Sequence, residues 1–168
     1  PILAGDKRVC YSMTGKAAGA DATGMQTAAV LEGDEWVLNG EKWFSSSASV
    51  ADIAVVMAKT DPDAARHEQY STFIVELPNP GYQIVRNIET MQPHTELGLK
   101  LGGSHSEINI EDLRVPRDAI LGGRGQGFNM GQHRLAYGRL RHGMHNVAMA
   151  QRSLDLAAQH VTNRSTFG

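Results

Sequence analysis

The sequence has little of what several protein classes require. A single cysteine, Cys10, excludes an internal disulfide framework and a cysteine-based zinc knuckle, and its neighbours are typical of a strand in a reducing compartment. The formal net charge of −2, without a basic run, gives no reason to expect a nucleic-acid partner. No apolar run approaches the roughly 20 residues that span a bilayer, so we expect a soluble protein without membrane insertion. No signal peptide is found, but a chain beginning Pro1-Ile2-Leu3 is expected to lack its natural N-terminus.

The first two-thirds of the chain predict β-structure. The Asn39-Gly40 pair is the strongest hairpin signal, and with Gly33-Asp34 it predicts a meander of three strands. The predicted strands cover residues 8–13, 27–32, 35–38, 41–44, 53–59, 72–77, 82–87 and 107–113. Because no helical segment intervenes, an antiparallel β-barrel or sandwich is favoured over a parallel α/β sheet.

The last third has a different pattern. From Gln126 to Asn163 there is no proline, and apolar residues recur at helical spacing. This apolar stripe consists of Leu140, Met144, Val147, Leu154, Ala158 and Val161. One long helix of about 55 Å is predicted, although Gly138 and Gly143 weaken it locally. Such a stripe needs partner helices, so residues 1–120 are expected to form the β-domain and residues 121–168 to begin a truncated helical bundle.

Two short blocks combine aromatic rings, hydroxyls and small residues. Tyr11-Ser12-Met13-Thr14 runs into Gly19-Ala20-Asp21-Ala22, and Lys42-Trp43-Phe44-Ser45-Ser46 follows the Asn-Gly pair. Rings and hydroxyls beside accessible backbone amides suit a flat cofactor with polar edges. On their own, the blocks are also compatible with a strand entering a Gly/Ala loop and with a hairpin that carries core aromatics. A third motif, Arg164-Ser165-Thr166-Phe167-Gly168, closes the chain.

Taken with Leu113-Arg114-Val115-Pro116, the order and spacing of these motifs resemble the middle of an acyl-CoA dehydrogenase, over residues 8–168. The Gly138-Arg139-Leu140-Arg141-His142 run is nearest the branch typified by family member eleven. The resemblance implies an FAD-dependent enzyme that forms an α,β double bond in an acyl-CoA thioester. A carboxylate would remove the α-proton while the β-hydrogen leaves as hydride to flavin N5.

The resemblance also implies partners and a location. The partners are an acyl-CoA substrate, an electron-transfer flavoprotein as electron acceptor, and further copies of the chain in a homodimer or homotetramer. The expected location is cytoplasmic in a bacterium, and the mitochondrial matrix or a peroxisome in a eukaryote.

The site residues are implied in the same way. The cofactor-binding positions are Tyr11, Met13, Thr14, Gly19, Ala20, Phe44, Ser46, Arg164 and Phe167. Phe44 would pack on the flavin, and the Ser46 hydroxyl would donate to N5, where a donor stabilises developing negative charge. Ala20 and Arg139 would contact the acyl-CoA. Arg164 would bind the flavin pyrophosphate of a neighbouring subunit, since a forked guanidinium suits phosphate oxygens.

The sequence departs from the family pattern in three places. Gly15-Lys16 replaces the usual Glu-Pro, and Ala20 replaces the usual Ser, so the contacts of that hydroxyl are lost. In parts of the family the catalytic base immediately precedes the arginine matched by Arg139, but here that residue is Gly138. The base is therefore expected outside this sequence, and the isolated chain is expected to be inactive.

Two further patterns are weaker, and two other functions remain open. The glycine-rich segment 122–127 lacks the spacing of a dinucleotide fingerprint and is interpreted as a flexible lead-in to the helix. His133, His142 and His145 have no carboxylate or thiolate at ligand spacing, so no metal site is predicted. The alternatives to a dehydrogenase are a flavin monooxygenase or oxidase on the same scaffold, and a non-catalytic β-barrel module.

Overall fold

The computed structural model describes residues 1–91 and 95–167. Its strands over these residues are β1 (Val9–Ser12), β2 (Ala28–Glu32), β3 (Glu35–Ser46), β4 (Ile53–Lys59), β5 (Tyr70–Glu76), β6 (Tyr82–Asn87) and β7 (His105–Pro116). The α-helices are α1 (Glu96–Lys100) and α2 (Gly127–Asn163). The chain divides into two compact units, Pro1–Gly131 and Gln132–Gly168.

The strands form one curled sheet in the order β1-β4-β2-β3-β7-β6, with β5 also paired to β4. The predicted class, a β-domain followed by one long helix, is confirmed. The pairing is mixed rather than wholly antiparallel, because β1 runs parallel to β4 with Val9 opposite Ile53. A parallel pair needs a crossover of a dozen or more residues, and β2 and β3 supply it here.

The predicted hairpin turn at Asn39-Gly40 is wrong, because β3 runs through both residues. From Leu38 to Gly40 the strand advances two residues while β7 advances three, which marks a β-bulge. The extra residue, Asp112, donates its backbone N–H to the Asn39 side chain at 2.9 Å. Gly40 has a φ of 142°, and a Cβ atom there would lie 2.6 Å from the Cα of Thr27. The Asn-Gly pair therefore serves a bulge and a close backbone approach rather than a turn.

The first unit has one main core and a smaller satellite. Leu38, Phe73 and Ile108 are fully buried in the main core, where Trp36 meets Phe73 edge to face with 5.3 Å between ring centroids. The satellite consists of Met25, Met57 and Tyr70, with Met13 and Phe128 packed against it. Burying each large apolar side chain stabilises the fold by about 1.5–3 kcal/mol.

The segment that precedes α2 is anchored by side chains, so the expectation of a flexible lead-in is not met. Arg124 pairs with Asp61 at 2.6 Å and lies over the Trp36 ring. The backbone N–H of Gly125 donates to the Ser71 hydroxyl at 3.0 Å. These contacts fix the point at which the helix begins.

Helix α2 runs from Gly127 to Asn163 and confirms the predicted long helix. Its first residues, Gly127 and Gly131, are buried, whereas Leu140, Met144 and Val147 of the apolar stripe are each more than two-thirds exposed. None of the helices described for this chain has the length and apolar character that crossing a lipid bilayer requires.

Replacing Gly127 tests how tightly the helix start is packed. A Cβ atom there would lie 2.7 Å from the carbonyl carbon of Ser71 and 2.9 Å from the carbonyl oxygen of Tyr70, so backbone must shift. Gly127→Ala should lower the free energy of unfolding of the first unit by about 1–3 kcal/mol. Urea unfolding followed by tryptophan fluorescence measures this, because both tryptophans, Trp36 and Trp43, lie in that unit.

Gly138→Ala is the matched control, because a Cβ atom at Gly138 would have no neighbour within 4 Å. It should leave the fluorescence transition unchanged and favour the helix by up to about 1 kcal/mol. Equal unfolding midpoints for the two variants would contradict the proposed close packing at Gly127.

Candidate flavin-facing site

The first two motifs meet at the ends of β1 and β3. The Trp43 N–H donates to the Thr14 carbonyl at 2.8 Å, and the Ser12 and Ser45 hydroxyls share a hydrogen bond of 2.9 Å. Segments some thirty residues apart in the chain therefore lie side by side. The structure brings Thr14 close to the strand that carries Phe44 and Ser46.

A second bulge in β3 places Phe44 at the surface. Between Lys42 and Ser45 the strand advances three residues while β7 advances two, and Phe44 adopts a φ of 57°. This left-handed conformation costs a non-glycine residue about 1–3 kcal/mol and is characteristic of functional sites. Before the bulge the most buried residues are the even-numbered Trp36, Leu38 and Lys42; after it, Ser45 is buried. Phe44 is consequently 46% exposed and Ser46 is also exposed.

Buried hydroxyls hold the inner side of this bulge. The Tyr82 hydroxyl lies 2.7 Å from the Ser12 oxygen and 3.7 Å from the Cys10 sulfur, so the chain runs Ser45–Ser12–Tyr82–Cys10. Burial raises the pKa of both the Tyr82 hydroxyl and the Cys10 thiol, so these groups stay neutral donors. Because Ser45 is held inward, its neighbours Phe44 and Ser46 point outward.

Ser46 has a partner that sequence reasoning missed. Its hydroxyl lies 2.9 Å from Nδ1 of His105, the first residue of β7. The His105 ring also contacts Phe44 edge to face, with 5.9 Å between ring centroids. Nothing in the sequence signals this pair, because 58 residues separate its members and only the β3–β7 register aligns them.

Lys42 is completely buried beneath the site. Its ammonium group donates to the carbonyls of Met13 at 3.0 Å and Met57 at 2.6 Å, and lies 2.8 Å from the Met25 sulfur. Burial lowers the pKa of Lys42 to about 7, because the charged form loses its hydration. Lys42 therefore ties the segment after β1 to β4. Strand alternation could have found it, since Lys42 is in phase with Leu38 and Trp36.

A charged edge adjoins the exposed aromatics. Glu107 pairs with Lys16 at 2.9 Å and with Arg86 at 2.8 Å. Hydrogen bonds from Lys16 and then Arg86 lower the pKa of Glu107. Both cations also lie over the Trp43 ring, 5.0 Å and 5.4 Å from its centroid. Lys16, one of the departures from the family pattern, thus covers Trp43 and leaves an excess positive charge at this edge.

The other predicted residues of the first unit have different surroundings. Tyr11 and Met13 are half-buried and point toward Gly131, where a Cβ atom would lie 3.3 Å from the Tyr11 oxygen and 3.4 Å from the Met13 sulfur. Gly19 and Ala20 are exposed in a loop, and Gly19 has no neighbour within 4 Å of a built Cβ. Their roles toward a cofactor stay predictions.

Three predicted residues belong to the second unit. Arg139 is exposed and donates to the Gln132 side chain at 3.1 Å. It lines a cavity of about 460 Å³ with Arg134, Leu135, Gly138 and His142. Arg164 and Phe167 are exposed beyond the end of α2. Within residues 1–91 and 95–167, no three His, Cys, Asp or Glu side chains are grouped to hold a metal ion.

The sequence matches the family model of the acyl-CoA dehydrogenase middle domain over residues 10–112. The chain belongs to the acyl-CoA dehydrogenase family. The model of the acyl-CoA dehydrogenase C-terminal domain matches residues 125–168. Both the resemblance and the fold that it implied are confirmed, and the two alternative functions are not favoured. Acyl-CoA dehydrogenases are oxidoreductases and generally FAD-dependent.

Similar proteins of this family support the same assignment. Acyl-CoA dehydrogenase family member 11 of Gallus gallus is 36% identical and covers 100% of this chain, which spans 22% of that protein. The human mitochondrial short-chain specific acyl-CoA dehydrogenase is 36% identical over 100% of this chain, which spans 39% of it. The structure of butyryl-CoA dehydrogenase from Megasphaera elsdenii superimposes with a TM-score of 0.78 at 30% identity, over 100% of this chain and 42% of that one. This chain thus spans less than half the length of these acyl-CoA dehydrogenases.

Lys42→Met tests the buried amine of this acyl-CoA dehydrogenase chain. The pKa of Lys42 is about 7 in the fold and about 10.5 when unfolded, so between these values the unfolded chain binds more protons. The stability of the wild type relative to Lys42→Met should therefore rise between about pH 7 and pH 10.5, by a total on the order of 5 kcal/mol, and be constant below pH 7. Urea unfolding of both proteins across this range measures it. A difference that does not change with pH would show that Lys42 keeps an ordinary pKa.

Proposed function

We propose that the complete protein is an FAD-dependent acyl-CoA dehydrogenase that forms the α,β double bond of an acyl-CoA thioester. The observation that carries the proposal is the β3 bulge, which presents the half-exposed Phe44 ring beside the exposed Ser46 hydroxyl in a family whose members are flavoproteins. Within the chain the Phe44 ring makes edge-to-face contacts with Trp43 and His105 but remains 46% exposed, so these contacts leave much of the ring uncovered. Binding of a flat ligand accounts for it.

The donor set at this surface fits a flavin. Phe44 supplies an aromatic ring, Ser46 supplies a hydroxyl donor, and Lys16 with Arg86 supplies excess positive charge. When bound, FAD would accept the β-hydrogen of the substrate as a hydride. Ser46 would hold its hydroxyl proton toward N5, where a donor is most valuable as negative charge develops. Phe44 would exclude water from that edge.

The α-proton would be removed by a carboxylate outside this chain. The helix position that carries a base in parts of the family is Gly138, and a Cβ atom there would meet nothing within 4 Å. Arg139, next to it and exposed, would bind the acyl-CoA. This chain therefore contributes positioning and binding groups, and the base belongs to the larger part of the protein.

The assembly that we propose follows from the second unit. The exposed apolar stripe of α2 needs a cover, which a helical bundle in a homodimer or homotetramer would provide. Arg164 and Phe167 would reach the FAD pyrophosphate of a neighbouring subunit. An electron-transfer flavoprotein is the proposed acceptor, in the cytoplasm of a bacterium or in the mitochondrial matrix or peroxisome of a eukaryote.

Ser46→Ala in the complete enzyme removes the proposed donor. We expect the rate of flavin reduction by substrate to fall about 10- to 100-fold, or about 1–3 kcal/mol of barrier, with flavin still bound. Stopped-flow absorbance measures the rate. Ser49→Ala is the matched control, because Ser49 bonds to Ser104 at 2.9 Å and is not part of the flavin-facing group. Equal reduction rates in both variants would remove Ser46 from the site.

Arg164→Ala in the complete enzyme should release flavin and loosen the oligomer, because it removes a charged phosphate contact across an interface. The ratio of visible to ultraviolet absorbance measures the flavin content, and light scattering measures the mass. Arg152→Ala, which removes an exposed arginine within α2, is the control. Full flavin content in Arg164→Ala would contradict the assignment of this residue.

A further inference from the structure

Strand pairing places Ser46 directly opposite His105. Ser46 and His105 face each other in the β3–β7 register, and their side chains are 2.9 Å apart. The backbone carbonyl of His105 accepts from the Ile88 N–H at 2.7 Å, and the next residue, Ser106, is fully buried. The backbone of His105 is therefore fixed by strand pairing, and its ring is positioned by its contacts with Ser46 and Phe44.

The number of protons on Ser46 and His105 determines whether Ser46 can donate a hydrogen bond to a ligand. A serine hydroxyl has one proton, and a neutral imidazole carries its proton on either Nδ1 or Nε2. If Nδ1 has no proton, it accepts from Ser46, and the hydroxyl has nothing left to donate. If Nδ1 carries the proton, it donates to the Ser46 oxygen, and the hydroxyl proton is free to point elsewhere.

The surroundings leave only one direction for that free proton. Within the part of the chain that the structure describes, Ser46 Oγ has no hydrogen-bond partner other than His105 Nδ1. Ser46 is exposed, next to the half-exposed Phe44 ring. An acceptor atom of a ligand on this surface would therefore select the tautomer in which Nδ1 carries the proton, since a ligand favours the state that it binds better.

We propose that His105 is a positioning residue that donates from Nδ1 to Ser46 Oγ and thereby directs the Ser46 proton toward the bound flavin. The inference rests on the proposed function, because it needs Ser46 to face a flavin. In this proposal, the proton on Nδ1 of His105 determines whether the Ser46 hydroxyl can donate to a ligand or only accept from it. His105 itself needs no contact with substrate or cofactor.

Two substitutions separate a donor from an acceptor at the Nδ1 position. In His105→Asn the side-chain amide can place its N–H where Nδ1–H lies, whereas in His105→Asp an ionised carboxylate only accepts and would capture the Ser46 proton. Each substitution is made in the complete enzyme, with Ser46 present and in the Ser46→Ala background. The readouts are the rate of flavin reduction at saturating substrate, the reduction potential of the bound flavin, and the FAD content.

We expect His105→Asn to reduce flavin within about threefold of the wild-type rate, and His105→Asp to lose about 10-fold or more, as Ser46→Ala does. The reduction potential should fall in His105→Asp, because the reduced flavin loses its donor. In the Ser46→Ala background, His105→Asp should cost less than about threefold in rate, because no proton is left to capture.

Three results would overturn the proposal. In the first, His105→Asp keeps the wild-type reduction rate and potential. In the second, His105→Asp lowers the rate by the same factor with and without Ser46, which is the effect of its charge alone. In the third, His105→Asn lowers the rate as much as His105→Asp does, which is the effect of a structural role. If Ser46→Ala itself changes neither rate nor potential, or the enzyme binds no FAD, the proposed flavin site fails and this inference fails with it. If Ser46→Ala lowers the rate or the potential but the effect of His105→Asp does not depend on Ser46, the flavin site stands and only the proposed role of His105 fails.

Discussion

Burial of two polar residues on β3, Lys42 and Ser45, determines the shape of the candidate site. Lys42 replaces its hydration with two backbone carbonyls and a methionine sulfur, and one of those carbonyls belongs to Met13, next to the predicted flavin-facing surface. Ser45 is held by the Ser12 hydroxyl. Removing either inward contact would leave buried polar groups without partners, which costs about 1–3 kcal/mol each. The outward positions of Phe44 and Ser46 depend on these inward ones.

The charged edge around Trp43 shows how a departure from a family pattern can be accommodated. Lys16 occupies a place where the family has proline, and here it bonds to Glu107 and covers an indole ring. Arg86 does the same from the neighbouring strand. Exposed ion pairs contribute little stability individually. Here their effect is electrostatic: two cations and one carboxylate leave a net positive charge beside the surface at which a flavin is proposed to accept hydride.

The sequence was sufficient to predict the long helix, most of the strands and the family, because these depend on local periodicity and on motif spacing. It failed at Asn39-Gly40, where a local turn signal was overridden by pairing on both sides of β3. The Ser46–His105 contact could not be foreseen, since it depends on the register between strands distant in the chain. Lys42 could have been found by following strand alternation. The positions of Tyr11 and Met13 against Gly131 depend on how the helix start packs, which no motif encodes.

The bulge at Phe44 divides β3 into two stretches with opposite side-chain phase. Before it the most deeply buried residues, Trp36, Leu38 and Lys42, are even-numbered, although Val37 is also buried; after it the buried residue is the odd-numbered Ser45. Loss of one residue between Leu38 and Lys42 would turn Trp36 and Leu38 toward solvent, whereas loss of one residue within the bulge would restore simple alternation, keep Ser45 inward and remove the left-handed position that Phe44 occupies. A single-residue change in length outside the bulge therefore needs a compensating change in β3 or β7, so β3 should vary in sequence across relatives far more readily than in length.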